Sequence, residues 1–160
     1  MGFHEQLVVI ERVLLAILLG GLIGLEREWA DKPAGLRTHM LICGSAALLI
    51  GLGDFVVFRL TTTAVAEHVR ADPIRIIEAI ITGISFLGAG TIFVRGREER
   101  LEGLTTAASI LFTAGIGMSV GIGKLYLAIA LTLIVLAILV VVARVERLFN
   151  PARHRHDKPD

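Results

Sequence analysis

The chain is poor in the residues that most functional constellations need. Its 160 residues hold one cysteine, Cys43, which excludes an internal disulfide framework and a multi-cysteine zinc site. Cys43 lies in an apolar stretch and reads as a small packing residue. Charged residues make up 19% of the chain, against about a quarter in ordinary soluble domains. The net charge of +1 gives no concentrated basic face of the kind a nucleic-acid partner requires. There is no phosphate-cradling glycine-rich loop, nucleophile elbow or HExxH pattern, so no enzyme is expected. No histidine–cysteine cluster supports zinc or a redox metal. The N-terminus has no positive patch and no small-residue cleavage site after the first apolar run. That run is therefore expected to be retained as a helix.

What the chain has in excess is apolar length. Hydrophobic residues make up 54% of it, and the mean hydropathy is +0.75. A single 17.2 kDa core cannot hide that much, so much of the surface should face lipid. Five segments have the length to span a bilayer: Leu7–Leu25, Met40–Phe58, Ile76–Val94, Leu104–Gly121 and Leu125–Ala143. The expected fold is an all-α polytopic membrane protein, with 1–147 as the transmembrane domain and 148–160 as a disordered cytoplasmic tail. Four full spans with one half-inserted segment is the alternative. Between spans two and three lies a polar connection ending at Pro73, with an interfacial helix expected around Ala64–Val69.

Lysine and arginine set the orientation. The loops after spans one and three and the C-terminus hold eleven of them, and the opposite side holds five. The positive-inside rule then puts the N-terminus outside and the C-terminus in the cytoplasm.

Shifting the chain by 68 residues lays the first hairpin on the second. Leu19-Gly20 meets Leu87-Gly88, Arg27 meets Arg95, Gly35-Leu36 meets Gly103-Leu104, and Thr38, Ile42 and Ala46 meet Thr106, Ile110 and Ala114. Either this is a chance match of apolar segments or it is a parallel repeat of two hairpins, with span five as an extra, peripheral helix. Small residues let membrane helices approach closely, and Gly20, Gly24, Gly35, Gly88, Gly90, Gly103, Gly117 and Gly121 are the candidates for that role. Some could instead mark interrupted helices. Span five has no glycine and should lie on the rim.

Polar residues at membrane depth are costly and become candidates by default. Glu78, one turn past Arg75, is either a functional carboxylate or half of an i, i+3 ion pair. Asp54 is either a site residue or an ordinary helix-end charge. Glu26, Arg27 and Glu28 cluster at the exit of span one, and Arg37, Thr38 and His39 arrive on the return helix. A Glu26–Arg37 or Glu26–Arg27 pair would satisfy charge at this neck, and His39 reads as a neck residue. Glu26, Glu28 and Asp31 inside, or Asp54 and Glu78 outside, could offer oxygens to Mg²⁺ as a ligand or substrate, but no dedicated cage is spelled out.

The wording of the first hairpin, LIGLERE (Leu22–Glu28) followed by PAGLRTH (Pro33–His39), resembles the signature of the MgtC/SapB family of bacterial inner-membrane proteins. Residues 75–123, with RIIEAIITGISFLGAGTIFV and EGLTTAASILFTAGIGMSVGIG, resemble that family's second half. Glu26, Arg27, Gly35, Arg37, Thr38, Gly88, Gly90, Gly103, Thr105 and Thr106 match the motif. Ala79 and Ser85 depart from it, where members often carry glutamine (beside the Glu78 position) and glycine. The resemblance implies a short form without the soluble C-terminal domain, and a role in magnesium homeostasis with no resident cofactor. It implies either transport, through a homo-oligomer, of magnesium or another cation, or regulation of another membrane complex such as the F-type ATP synthase.

Overall fold

A computed structural model describes residues 2–62, 72–95 and 100–145. The expected interfacial helix at 64–69 and the tail at 148–160 lie outside the described residues. Five α-helices carry the fold: α1 (Phe3–Trp29), α2 (Leu36–Thr62), α3 (Pro73–Ala89), α4 (Leu104–Gly121) and α5 (Leu125–Ala137). A π-helical turn, Ile138–Val142, prolongs α5. Between α3 and α4 two short strands, β1 (Phe93–Arg95) and β2 (Arg100–Glu102), pair antiparallel with Phe93 opposite Glu102.

Local chemistry explains the boundaries. Asp72 caps α3 by accepting the Ile74 backbone N–H at 3.0 Å, and Pro73 follows at the first helical position. Gly103 stands before α4 with φ of +89°, and a Cβ there would collide with the Thr91 carbonyl oxygen. Only glycine fits. α4 has the bounds expected of span four. Span three differs, because its helix stops at Ala89 and the β-branched and aromatic Ile92-Phe93-Val94 leave it for the strand pair. At 17 residues α3 is about 25 Å long, less than a ~30 Å hydrocarbon core. The other four helices are long and apolar enough to cross a membrane, over Phe3–Trp29, Leu36–Leu60, Leu104–Gly121 and Leu125–Val145.

Two apolar cores share α2 and α4. One packs Ala16 and Ile23 of α1 with Cys43, Ile116, Val120 and residues of α5. The other packs Ile80 and Ile84 of α3 with Ile42, Ala46, Ile110 and Ala114. The helices are inverted relative to soluble ones, with exposed stripes such as Leu7, Ile10, Leu14 and Leu18 on α1, and Leu127, Leu133 and Ile134 on α5. In water such a surface would drive aggregation; in lipid it is ordinary. The protein is therefore embedded in a membrane, with α5 at the rim of the bundle.

The repeat has a structural counterpart. α2 and α4 start 68 residues apart, at Leu36 and Leu104. Gly20 packs on the backbone of His39, and Gly88 packs on that of Ala107, which is the same pair displaced by 68. Ile42 and Ile110, and Ala46 and Ala114, are all buried in one core. Contacts from His39 to Ser109 and from Ile50 to Gly121 run in the same sense, so α2 and α4 are parallel. The halves differ at the end of their first helix, where α1 continues to Trp29 and α3 gives way to the strand pair.

Candidate functional site

The neck of the first hairpin gathers most of the candidate residues. Arg27, on the last turn of α1, is 3% exposed and donates through Nε and Nη2 to the two Glu26 carboxylate oxygens, at 2.5 and 2.7 Å. This is the bidentate fork that arginine makes with carboxylates. Of the two pairings open in the sequence, the structure makes Glu26–Arg27, and Arg37 is exposed with no ion pair among the described residues. Thr38 is exposed as well.

Glu28 has a different task. Its carboxylate reaches across the turn and accepts the Leu36 N–H at 2.8 Å, capping α2 from the preceding helix. Gly35 permits this, because a Cβ there would collide with the Glu28 carboxylate. Replacing Glu28 by alanine should cost about 1 kcal/mol, the usual worth of a lost cap. Gly35→Ala should then cost less in the Glu28→Ala background than alone. Thermal unfolding of the four proteins of this cycle checks it, and equal costs in both backgrounds would refute the coupling.

His39 is buried at 0% exposure, held by two polar contacts. Nδ1 lies 2.9 Å from the Gly35 carbonyl oxygen, and Nε2 lies 3.1 Å from the Ser109 hydroxyl. A carbonyl can only accept, so Nδ1 carries a proton; the single Ser109 hydroxyl proton serves either Nε2 of the neutral ring or the Thr106 carbonyl, not both at once. Ser109 also reaches the Thr106 carbonyl at 2.8 Å, and Thr113 donates to the Ser109 carbonyl at 2.7 Å. His39 thus ties the first hairpin to the second.

The opposite end of the bundle holds the other polar set. Arg12 donates Nη1 to the Gly121 carbonyl at 2.6 Å, neutralising an unsatisfied group at the C-terminus of α4. A cleft of about 260 Å³ opens beside it between α1 and α2, lined by His4, Glu5, Arg12 and Asp54 with Val9 and Phe55. Asp54 is exposed at its edge. Glu78 is exposed on α3, away from that cleft, and makes no ion pair with Arg75. Asp54 lines this cleft and Glu78 does not, and among the described residues no three acidic, histidine or cysteine side chains converge on a metal position. Inside, Glu26 and Glu28 are already engaged.

The packing glycines divide into classes. A Cβ at Gly20 would sit 2.5 Å from the His39 carbonyl, at Gly24 2.7 Å from Leu36 Cα, and at Gly121 2.8 Å from Ile50 Cβ; at Gly117 it would overlap the Cys43 carbonyl oxygen. Gly88 has ordinary contact at 3.5 Å, and Gly90 is exposed as the C-cap of α3. The sequence reading missed the burial of His39 and the capping role of Arg12. The signal available for the first was the Thr106, Ser109, Thr113 spacing, which puts three hydroxyls on one face of an apolar helix.

Comparison with known proteins identifies the family of the chain. The model of the MgtC family matches residues 13–148. YhiD of Escherichia coli K12, whose name proposes magnesium transport, is 43% identical over 135 residues, covering 79% of this chain and 58% of YhiD. The protein MgtC of Salmonella typhimurium LT2 is 42% identical over 124 residues, covering 78% and 48%. An uncharacterised Haemophilus influenzae protein is 37% identical over 132 residues, covering 82% and 54%. The chain spans about half the length of the curated relatives it matches. No solved structure matches. With the family's model matching residues 13–148, the neck of the first hairpin and the whole second hairpin included, the chain belongs to the MgtC family.

Proposed function

We propose that this chain is a multi-pass protein of the bacterial inner membrane that serves magnesium homeostasis by docking on other membrane machinery. Magnesium comes from the relatives, one of which bears a name proposing its transport. The docking reading rests on one observation. Arg37 and Thr38, which match the family's motif, are exposed and make no side-chain hydrogen bond or ion pair among the described residues. Side chains that make no such bond and stand at the mouth of a membrane hairpin are suited to contact a partner. The lysine and arginine distribution supports placing this neck and the C-terminus on the cytoplasmic side, with the N-terminus outside. The reading assigns the chain no catalytic step and no resident metal.

Transport is the second reading, and the cleft beside Arg12 and Asp54 favours it as an entrance. Mg²⁺ flux into proteoliposomes separates the two. Docking predicts no flux above empty liposomes from folded, inserted protein. Flux that Asp54→Asn or Glu78→Gln abolishes would overturn docking and establish a carrier.

A further inference from the structure

α5 packs on α1 and α4. Exchanging the two halves of the repeat turns that pair into α3 and α2, and on these the chain places no helix among its described residues. Between α2 and α3 lies an open groove of about 350 Å³, lined by Leu49 of α2 and by Arg75, Ile76, Ala79 and Ile80 of α3. The outward face of α3 beside it is unlike the lipid-facing stripes of α1 and α5. At helical spacing it carries Arg75, Glu78, Ala79, Thr82, Gly83 and Phe86, all exposed. A Cβ at Gly83 would meet nothing within 4 Å. Among the described residues neither the Arg75 guanidinium nor the Glu78 carboxylate has an ionic partner, although Glu78 sits on the second turn of a helix in an apolar bundle.

Charges and small residues are unfavourable toward lipid and favourable toward another helix. We propose that this face of α3 is a self-association surface, and that each α3 occupies the empty α2–α3 groove of a second copy of the chain. The charges select a second copy. The face carries one positive and one negative group within a single turn, so it is neutral and complementary to itself. A two-fold axis along the membrane normal sets two α3 helices side by side and parallel, with Arg75 of each copy within one turn in depth of Glu78 in the other. Ala79 and Gly83 let the backbones approach, and Phe86 fills space at the far end.

The surface is tested by cysteine cross-linking of the full chain in native membranes, with Cys43→Ala as background. Ala79→Cys and Gly83→Cys should each form disulfide-linked dimers on mild oxidation, since that bond needs Cα atoms within about 7 Å. Leu133→Cys on exposed α5 should not. Glu78→Arg alone or Arg75→Glu alone should weaken dimerisation about tenfold, equivalent to roughly 1.4 kcal/mol, and the double exchange should restore it. Equal cross-linking at Leu133, monomers at all positions, or cross-links from α3 only to a different protein would overturn the proposal. Because dimerisation is read without magnesium, its failure leaves the docking function standing, and Mg²⁺ flux leaves the dimer standing.

Discussion

Changing Gly20 to alanine will destabilise the bundle by about 2–3 kcal/mol, while the same change at Gly21 will alter stability by less than ~0.5 kcal/mol. The two positions differ by one residue in sequence and not at all in composition. At Gly20 the added methyl would lie 2.5 Å from the His39 carbonyl oxygen and 2.6 Å from Cys43 Cβ. Both neighbours belong to α2, and the first is backbone, so neither can move without parting the helices. At Gly21 the nearest atom is Met40 Cγ at 3.4 Å, on a side chain that can swing away. Gly117→Ala belongs with Gly20, because its methyl would overlap the Cys43 carbonyl from the other side. Cys43 is thus clasped between glycines of α1 and α4. Gly115, with open space around it, should tolerate alanine. Unfolding in mixed micelles followed by circular dichroism measures all four. Losses of similar size at Gly20 and Gly115 would show that helix propensity, and not contact, decides the cost.

How legible was this in the sequence? Helix α4 was read to the residue, because Gly103 before it and the Gly121–Lys124 turn after it are punctuation that acts locally. The close-packing glycines at 20, 24, 117 and 121 were also legible, since a glycine inside an apolar span has few other uses. The end of α3 was not. Gly88-Ala-Gly90 looks the same whether the helix runs on or stops, and apolar residues continue to Val94 in either case. What stops it is the pairing of Phe93–Arg95 with a strand beyond the next charged loop, which no local window contains. His39 illustrates the same limit. Its burial depends on Ser109, 70 residues away, so its own neighbours in sequence mark only a helix start. Glu78 and Asp54 were found as charged residues in apolar surroundings. Whether they share a cavity is a question of how α2 and α3 are rotated, and hydropathy carries no information on that.

The ion pair at the neck gives the second large effect. Arg27→Ala should cost about 3 kcal/mol, because it leaves the Glu26 carboxylate beside an apolar core without its counter-charge. Arg27 is 3% exposed and the Glu26 side chain 17%, so water can repair only part of the loss. Arg27→Lys should recover little, since an ammonium cannot make both contacts of the fork. The double change Glu26→Leu with Arg27→Met removes both charges at similar volume and should bring stability back to within ~1 kcal/mol of the parent. That variant separates fold from function. It leaves the Glu28 cap, the His39 contacts and the exposed Arg37 and Thr38 in place. It removes only the mostly buried Glu26–Arg27 charge pair at the end of α1. If the partner reads the exposed Arg37 and Thr38, the double variant will melt like the parent and support growth in low magnesium as the parent does. Loss of growth at parental stability would instead place Glu26 and Arg27 in the contact and overturn its assignment to Arg37 and Thr38.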